Sequence, residues 1–172
     1  GQKARDHLRA GLLSQHPGSG PGKARSYIRH LRTLIDAAQL LGVGLVTTFL
    51  GRVPQWTVSR NLEEVKSVWP AILDYAAEKG VRIAIENCPM LFTEDEWPGG
   101  QNLMTSPANW RKVFEILPHE NLGINYDPSH FIWQQIDYIK PSTSSGIRSS
   151  TSTTRTSNSI PRSWRTWGPC VR

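Results

Sequence analysis

Two short segments of the chain end in side chains that can bind a metal ion or transfer a proton. The apolar run at residues 81–85 is followed directly by Glu86, and the run at 122–126 is followed by Asp127 and then by His130. Carboxylates are hard oxygen donors and an imidazole suits Mn, Zn or Fe. A charged side chain at the end of a buried strand usually has a structural or functional partner. The two segments therefore predict a metal or acid/base site at the carboxyl mouth of a parallel barrel.

Each of these side chains also has a plain structural explanation. Glu86 could cap a loop or pair with an arginine, and Asp127-Pro128 could be an ordinary turn that leaves His130 at the surface. Asn87 and Asn125 flank the carboxylates. They could orient the carboxylates by hydrogen bonds, or they could satisfy loop backbone.

A long loop rich in Pro, Gly, Asp and Glu follows the first of these strands, over residues 89–101. Loops of this length are often functional, and Trp97 within it could form the wall of a sugar pocket. A plain surface loop is the alternative.

The elements that must position these residues alternate between helix and strand patterns. Apolar periodicity predicts helices over 24–41, 61–79 and 106–117, and strands over 44–49, 81–85 and 122–126. Asn61, with Glu64 three positions later, predicts the N-cap of the second helix, and Ser106-Pro107 predicts the start of the third. This alternation is typical of an α/β fold with a parallel sheet. Carboxylates at successive strand ends favour a (β/α)8 TIM barrel over a doubly wound sheet.

Charge and composition set limits on location and partners. The net charge is +6, but residues 23–141 carry 12 basic and 13 acidic residues, so the basicity belongs to the two ends and does not favour a nucleic-acid partner. No run of apolar residues is long enough for a membrane span, and no signal peptide is visible. The two cysteines require no oxidising compartment. We expect a cytoplasmic protein.

The ends of the chain differ from its middle. Residues 142–172 contain five arginines and no acidic residue, and residues 142–159 are mostly Ser, Thr and Arg, which predicts a disordered tail. The genetic code offers another interpretation. Read one base earlier, TCN serine codons always encode Phe, Leu, Ile or Val, and ACN threonine codons encode Tyr, His, Asn or Asp, so the tail becomes a strand-like alternation. We hypothesise that 1–22 and 142–172 are out-of-frame segments around an intact middle at 23–141, which the nucleotide sequence in all three frames would test.

The middle of the chain resembles the sugar phosphate isomerase/epimerase family, which has a xylose-isomerase-like TIM barrel. Three motifs carry the resemblance: I-A-I-E-N-C-P-M at 83–90, D-E-W-P-G-G at 95–100 and N-Y-D-P-S-H at 125–130. The resemblance implies a divalent metal (Mn, Mg, Zn or Co) held by Glu86 and Asp127. It further implies catalytic roles for Glu86 and His130, and substrate contacts from His130, Trp97 and Asn87.

By resemblance, the function is metal-dependent isomerisation or epimerisation of a small sugar or polyol, in which a proton next to a carbonyl is moved through an enediolate. Two alternatives stay open: a metal-dependent endonuclease of the same superfamily, and a non-catalytic sugar-binding barrel relative. The family also has a His on the next strand and a Glu on the last strand, and neither is found in this sequence. We therefore expect a partial barrel that lacks its first strand, and an incomplete, inactive fragment.

Overall fold

The described residues form a four-stranded parallel sheet, with a helix in each connection and a short helix after the last strand. The computed structural model describes residues 8–9, 21–89 and 100–140, with side chains from residue 25 onward. The strands are hydrogen-bonded in chain order and comprise β1 (Leu8–Arg9), β2 (Leu45–Thr48), β3 (Arg82–Glu86) and β4 (Leu122–Asn125). The helices are α1 (Pro21–Leu40), α2 (Val58–Glu78), α3 (Pro107–Ile116) and α4 (Ser129–Ile132). Because α1, α2 and α3 each connect one parallel strand to the next, the carboxyl ends of the strands share one edge of the sheet.

The α/β pattern and the parallel sheet predicted from the sequence are confirmed, with small shifts at the element ends. The absence of the barrel's first strand stays a prediction. The described sheet does begin with a strand that the sequence analysis did not predict, in which Leu8 and Arg9 pair in parallel with Val46 and Thr47. Sequence analysis missed this strand because two residues are too few to show a period. It lies within segment 1–22, whose reading frame stays a hypothesis.

The N-cap predicted at Asn61 is wrong. Helix α2 begins one turn earlier, after Thr57, whose side-chain oxygen accepts a hydrogen bond from the backbone N–H of Arg60 (3.2 Å). Asn61 is buried inside the first turn. Its amide nitrogen donates to the carbonyl oxygens of Val53 and Trp56, and thereby holds the preceding loop against the helix.

The core lies between one face of the sheet and the three connecting helices. Alternate residues of β3, Ile83 and Ile85, belong to the same buried cluster as the inner faces of α1, α2 and α3. Side chains alternate between the two faces of a strand, so Ala84 and Glu86 point to the opposite face. Glu86 and Asn125 are in register across β3 and β4, which places them side by side on that face. Among the described residues, no helix combines the length and apolar character that a bilayer crossing requires.

Both long helices end in a glycine with left-handed backbone. Gly42 has φ 66° and Gly80 has φ 67°. After α2, the N–H of Gly80 bonds to the carbonyl of Ala77 and the N–H of Val81 bonds to that of Ala76, which is the Schellman arrangement. These turns connect each helix directly to the strand that follows it.

Gly80→Ala is expected to lower the free energy of unfolding by about 1 kcal/mol, because a side chain is strained at positive φ. A Cβ at this position meets no atom within 4 Å, so steric overlap adds nothing to the loss. Urea unfolding measures the change. Gly44→Ala is the matched control, because its Cβ also meets open space and its φ is not left-handed. Equal losses in both variants would contradict the explanation.

Candidate metal centre

Three side chains predicted from the sequence meet at the carboxyl edge of the sheet. Glu86 is the last residue of β3, Asp127 follows β4 and His130 lies in α4. The Nε2 atom of His130 lies 3.7 Å from Oε1 of Glu86 and 3.7 Å from Oδ2 of Asp127. Glu86 is buried, whereas Asp127 and His130 are partly exposed. The solvent-accessible part of the cluster is therefore formed by Asp127 and His130.

The donor set of this cluster fits a divalent cation. One ligand atom from each of Glu86, Asp127 and His130 lies within 4.8 Å of the other two. Donors that share a metal at about 2.1 Å lie at most about 4.2 Å apart, so small side-chain adjustments suffice. Two carboxylate oxygens and one imidazole nitrogen suit Mn, Zn, Fe or Co. In the described part of the chain, this is the one such group of three.

Each carboxylate has one oxygen held by a neighbouring N–H group. The amide of Asn125 donates to Oε2 of Glu86 (3.4 Å), and the backbone N–H of Ser129 donates to Oδ1 of Asp127 (2.9 Å). The other oxygen of each carboxylate is the one that faces His130. The contacts to Asn125 and Ser129 therefore orient both carboxylates toward a common point.

The side chain of Asn87 joins the ends of β3 and β4. It is fully buried. Its Nδ2 donates to the carbonyl oxygen of Asp127 (2.9 Å), and its Oδ1 accepts from the N–H of Asp127 (2.7 Å). This reciprocal pair resembles one further step of sheet pairing beyond Glu86 and Asn125. The contacts favour the orienting role expected of Asn87, and its contact with substrate stays a prediction.

The electrostatic surroundings of His130 favour its charged form. Contacts with the side chains of Cys88 and Glu86 raise the pKa of His130 to about 10, the charge of Asp127 acts in the same direction, and partial burial opposes the shift. At neutral pH the imidazole is therefore protonated between two carboxylates. A divalent cation would suit the same surroundings, and its binding would release that proton.

Three aromatic rings support the helix that carries His130. Trp110 of α3 stacks on Phe131 of α4 with ring centroids 5.2 Å apart. The ring of Tyr126 makes an edge-to-face contact with each of them, with centroid distances of 5.8 Å to Trp110 and 5.6 Å to Phe131. The indole Nε1 donates to the carbonyl oxygen of Met104 (2.7 Å). Because Tyr126 and Phe131 flank Asp127 and His130 in the chain, this packing helps to set the position of both side chains.

The structure brings together Glu86, Asp127, His130 and Asn87, but Trp97 lies outside the described residues. Sequence analysis did not predict a role for Asn102, whose side chain contacts the backbone at Glu86. The contact spans 16 residues, so no helix or strand period connects the pair. A signal was present in the form of a polar residue directly before the apolar Leu103-Met104.

A sequence model of the family described as xylose isomerase-like TIM barrel matches residues 6–148. A comparison with curated proteins found no match.

Several solved structures share the fold at low sequence identity. L-ribulose 3-epimerase is 15% identical with a TM-score of 0.61, and the alignment covers 75% of this chain and 43% of that one. D-allulose 3-epimerase from Methylomonas sp., solved with D-allulose, is 17% identical with a TM-score of 0.56, covering 73% and 42%. A D-tagatose 3-epimerase-like protein is 23% identical with a TM-score of 0.56, covering 72% and 45%. The chain thus spans less than half the length of these proteins, and its sheet forms part of a barrel.

Proposed function

Because the chain belongs to the xylose isomerase-like TIM barrel family, we propose that it derives from a metal-dependent isomerase or epimerase of a small sugar or polyol. The observation that carries the proposal is the convergence of Glu86, Asp127 and His130 at the carboxyl edge of the sheet. Enzymes with this fold place their active sites at that edge. The similarity to structures described as sugar 3-epimerases gives further support. A cytoplasmic location belongs to the same proposal.

Glu86, Asp127 and His130 would hold the cation. When bound, a divalent cation supplies a Lewis acid that polarises a substrate carbonyl and stabilises the negative charge that develops on its oxygen. Asn87, Asn125 and the backbone of Ser129 hold the protein ligands in place, so that little reorganisation is needed during the reaction.

Glu86 is the proposed proton acceptor. Its carboxylate is buried and held on one oxygen by Asn125, and it can take a proton from the carbon next to the carbonyl. Return of a proton to the neighbouring carbon isomerises the sugar, whereas return to the opposite face of the same carbon inverts it. The two roles of His130 are alternatives: as a metal ligand its Nε2 carries no proton, whereas outside the metal's coordination it keeps a proton 3.7 Å from Glu86 and can assist the second step.

Metal content and hydrogen exchange test this proposal. After dialysis of the 172-residue chain against Mn²⁺, Co²⁺, Zn²⁺ or Mg²⁺, we expect a single bound cation per chain. With metal and a panel of ketoses in D₂O, we expect a longer form that completes the barrel to introduce deuterium at the carbon next to the carbonyl, as measured by NMR, and the 172-residue chain to show no exchange. No uptake of any of these cations would contradict the metal centre. Metal and sugar binding without exchange in the longer form would instead favour a non-catalytic sugar-binding relative.

A further inference from the structure

The side chain of Asn102 connects three backbone segments at the carboxyl edge of the sheet. It is fully buried. Its Nδ2 donates to the carbonyl oxygens of Glu86 (2.7 Å) and Cys88 (2.6 Å), and its Oδ1 accepts from the N–H groups of Leu50 (3.3 Å) and Met104 (3.1 Å). Both donor hydrogens and both acceptor lone pairs of this amide are thereby used on backbone.

Asn102 provides a hydrogen-bond partner for β3 at the point where the pairing of β3 with β2 ends. The pairing of β2 with β3 ends at Thr48 and Ile85, so the register includes no residue of β2 opposite Glu86. On the other side, β4 still pairs with Glu86 through Asn125. At the end of β3, the amide of Asn102 therefore bonds the backbone on the side that faces β2. The amide of Asn87 extends the pairing on the side that faces β4.

Backbone hydrogen bonds fix Asn102 itself. The N–H of Leu103 donates to the carbonyl of Leu50 (2.7 Å), and the N–H of Arg52 donates to the carbonyl of Gln101 (3.0 Å). Residues on both sides of Asn102 are thus paired with the chain that follows β2. The amide is rigidly placed, so the Glu86 carbonyl that it binds is rigidly placed too.

We propose that Asn102 is a positioning residue for Glu86, which rests on the proposed role of Glu86 as a metal ligand. A metal ligand must be held to within about 0.5 Å of its productive position. Loss of the Asn102 amide leaves the carbonyl groups of the buried Glu86 and the partly buried Cys88 without this donor, and a buried carbonyl without a partner reorganises to find another one. Movement of the Glu86 backbone turns its side chain away from Asp127 and His130.

The variant Asn102→Ala, compared with Asn61→Ala, tests the proposal. Asn61 is the matched control, because it is also buried and its amide also bonds several backbone groups of a neighbouring loop, but none of them at the candidate centre. Both variants are expected to lower the urea midpoint of unfolding. Only Asn102→Ala is expected to weaken Mn²⁺ binding, by roughly 10- to 100-fold in folded protein, as for other residues that orient metal ligands.

A second measurement is independent of metal. In metal-free protein, the ¹⁵N resonance of Nε2 of His130 reports its 3.7 Å contact with Glu86. We expect this resonance to shift or broaden in Asn102→Ala and to stay unchanged in Asn61→Ala. If Asn102→Ala does not fold, Asn102→Leu answers the same question, because it keeps nearly the same volume and adds no charge but loses the donor.

The outcomes separate this inference from the proposed function. Mn²⁺ affinity within twofold of wild type in Asn102→Ala, or an equal loss in Asn61→Ala, would overturn the positioning role. If wild-type protein binds no metal, the proposed metal centre fails, and the His130 resonance alone decides whether Asn102 positions Glu86. An unchanged resonance in Asn102→Ala would then overturn the inference.

Discussion

Glu86→Gln is expected to weaken Mn²⁺ binding by roughly 100-fold or more and, in a longer form that completes the barrel, to slow deuterium exchange into a sugar substrate by roughly 10²- to 10⁴-fold, the range typical for loss of a general acid or base. The glutamine amide has nearly the same shape as the carboxylate. It carries no charge for a cation, however, and it cannot accept a proton from carbon. Equilibrium dialysis with Mn²⁺ and NMR of the sugar measure the two effects.

The exposed Glu63 on α2 provides the control for this variant. Glu63→Gln removes the same charge from the surface and is expected to leave Mn²⁺ binding unchanged. In Glu86→Gln the pKa of His130 is expected to fall, because the contact with Glu86 is one of the causes that raise it. Mn²⁺ affinity within threefold of wild type in Glu86→Gln would refute the role of Glu86 as a ligand.

Trp110→Ala is expected to lower the free energy of unfolding by about 3–5 kcal/mol, the usual loss for a large aromatic side chain in a core. Trp110 is 1% exposed and contacts two further rings. Its removal leaves a cavity and also leaves the carbonyl oxygen of Met104 without the indole N–H. Urea unfolding followed by circular dichroism measures the loss.

The same variant is expected to disturb the candidate metal centre, because Phe131 then loses the ring that holds α4 and His130 in place. Trp69→Ala is the control. Trp69 is 3% exposed on α2, outside the three-ring cluster, and its removal is expected to lower stability by a similar amount. Weaker Mn²⁺ binding only in Trp110→Ala would indicate that the aromatic cluster holds the candidate metal centre in place. Equal Mn²⁺ affinities in the two variants would show that Trp110 contributes stability alone.

Several predictions made from the sequence succeeded because they depend on neighbours within one segment. The helix that starts after Ser106 could be predicted, because an N-cap side chain and the proline that follows act within one turn. The N-cap at Asn61 could not be placed correctly, because the choice between Asn61 and Thr57 depends on the loop that Asn61 binds. The loop and the helix meet only in the folded chain.

The amino-acid sequence alone was sufficient to predict the parallel α/β sheet and the convergence of Glu86, Asp127 and His130. Parallel strands end at one edge, so carboxylates placed just after successive strands must approach each other. The roles of Asn102 and Trp110 emerged only from the tertiary structure. Their contacts with Glu86 and Phe131 join residues that are 16 and 21 positions apart in the chain. Hydrogen bonds and ring packing at that separation depend on where the backbone returns in space, and no local period along the chain encodes that position.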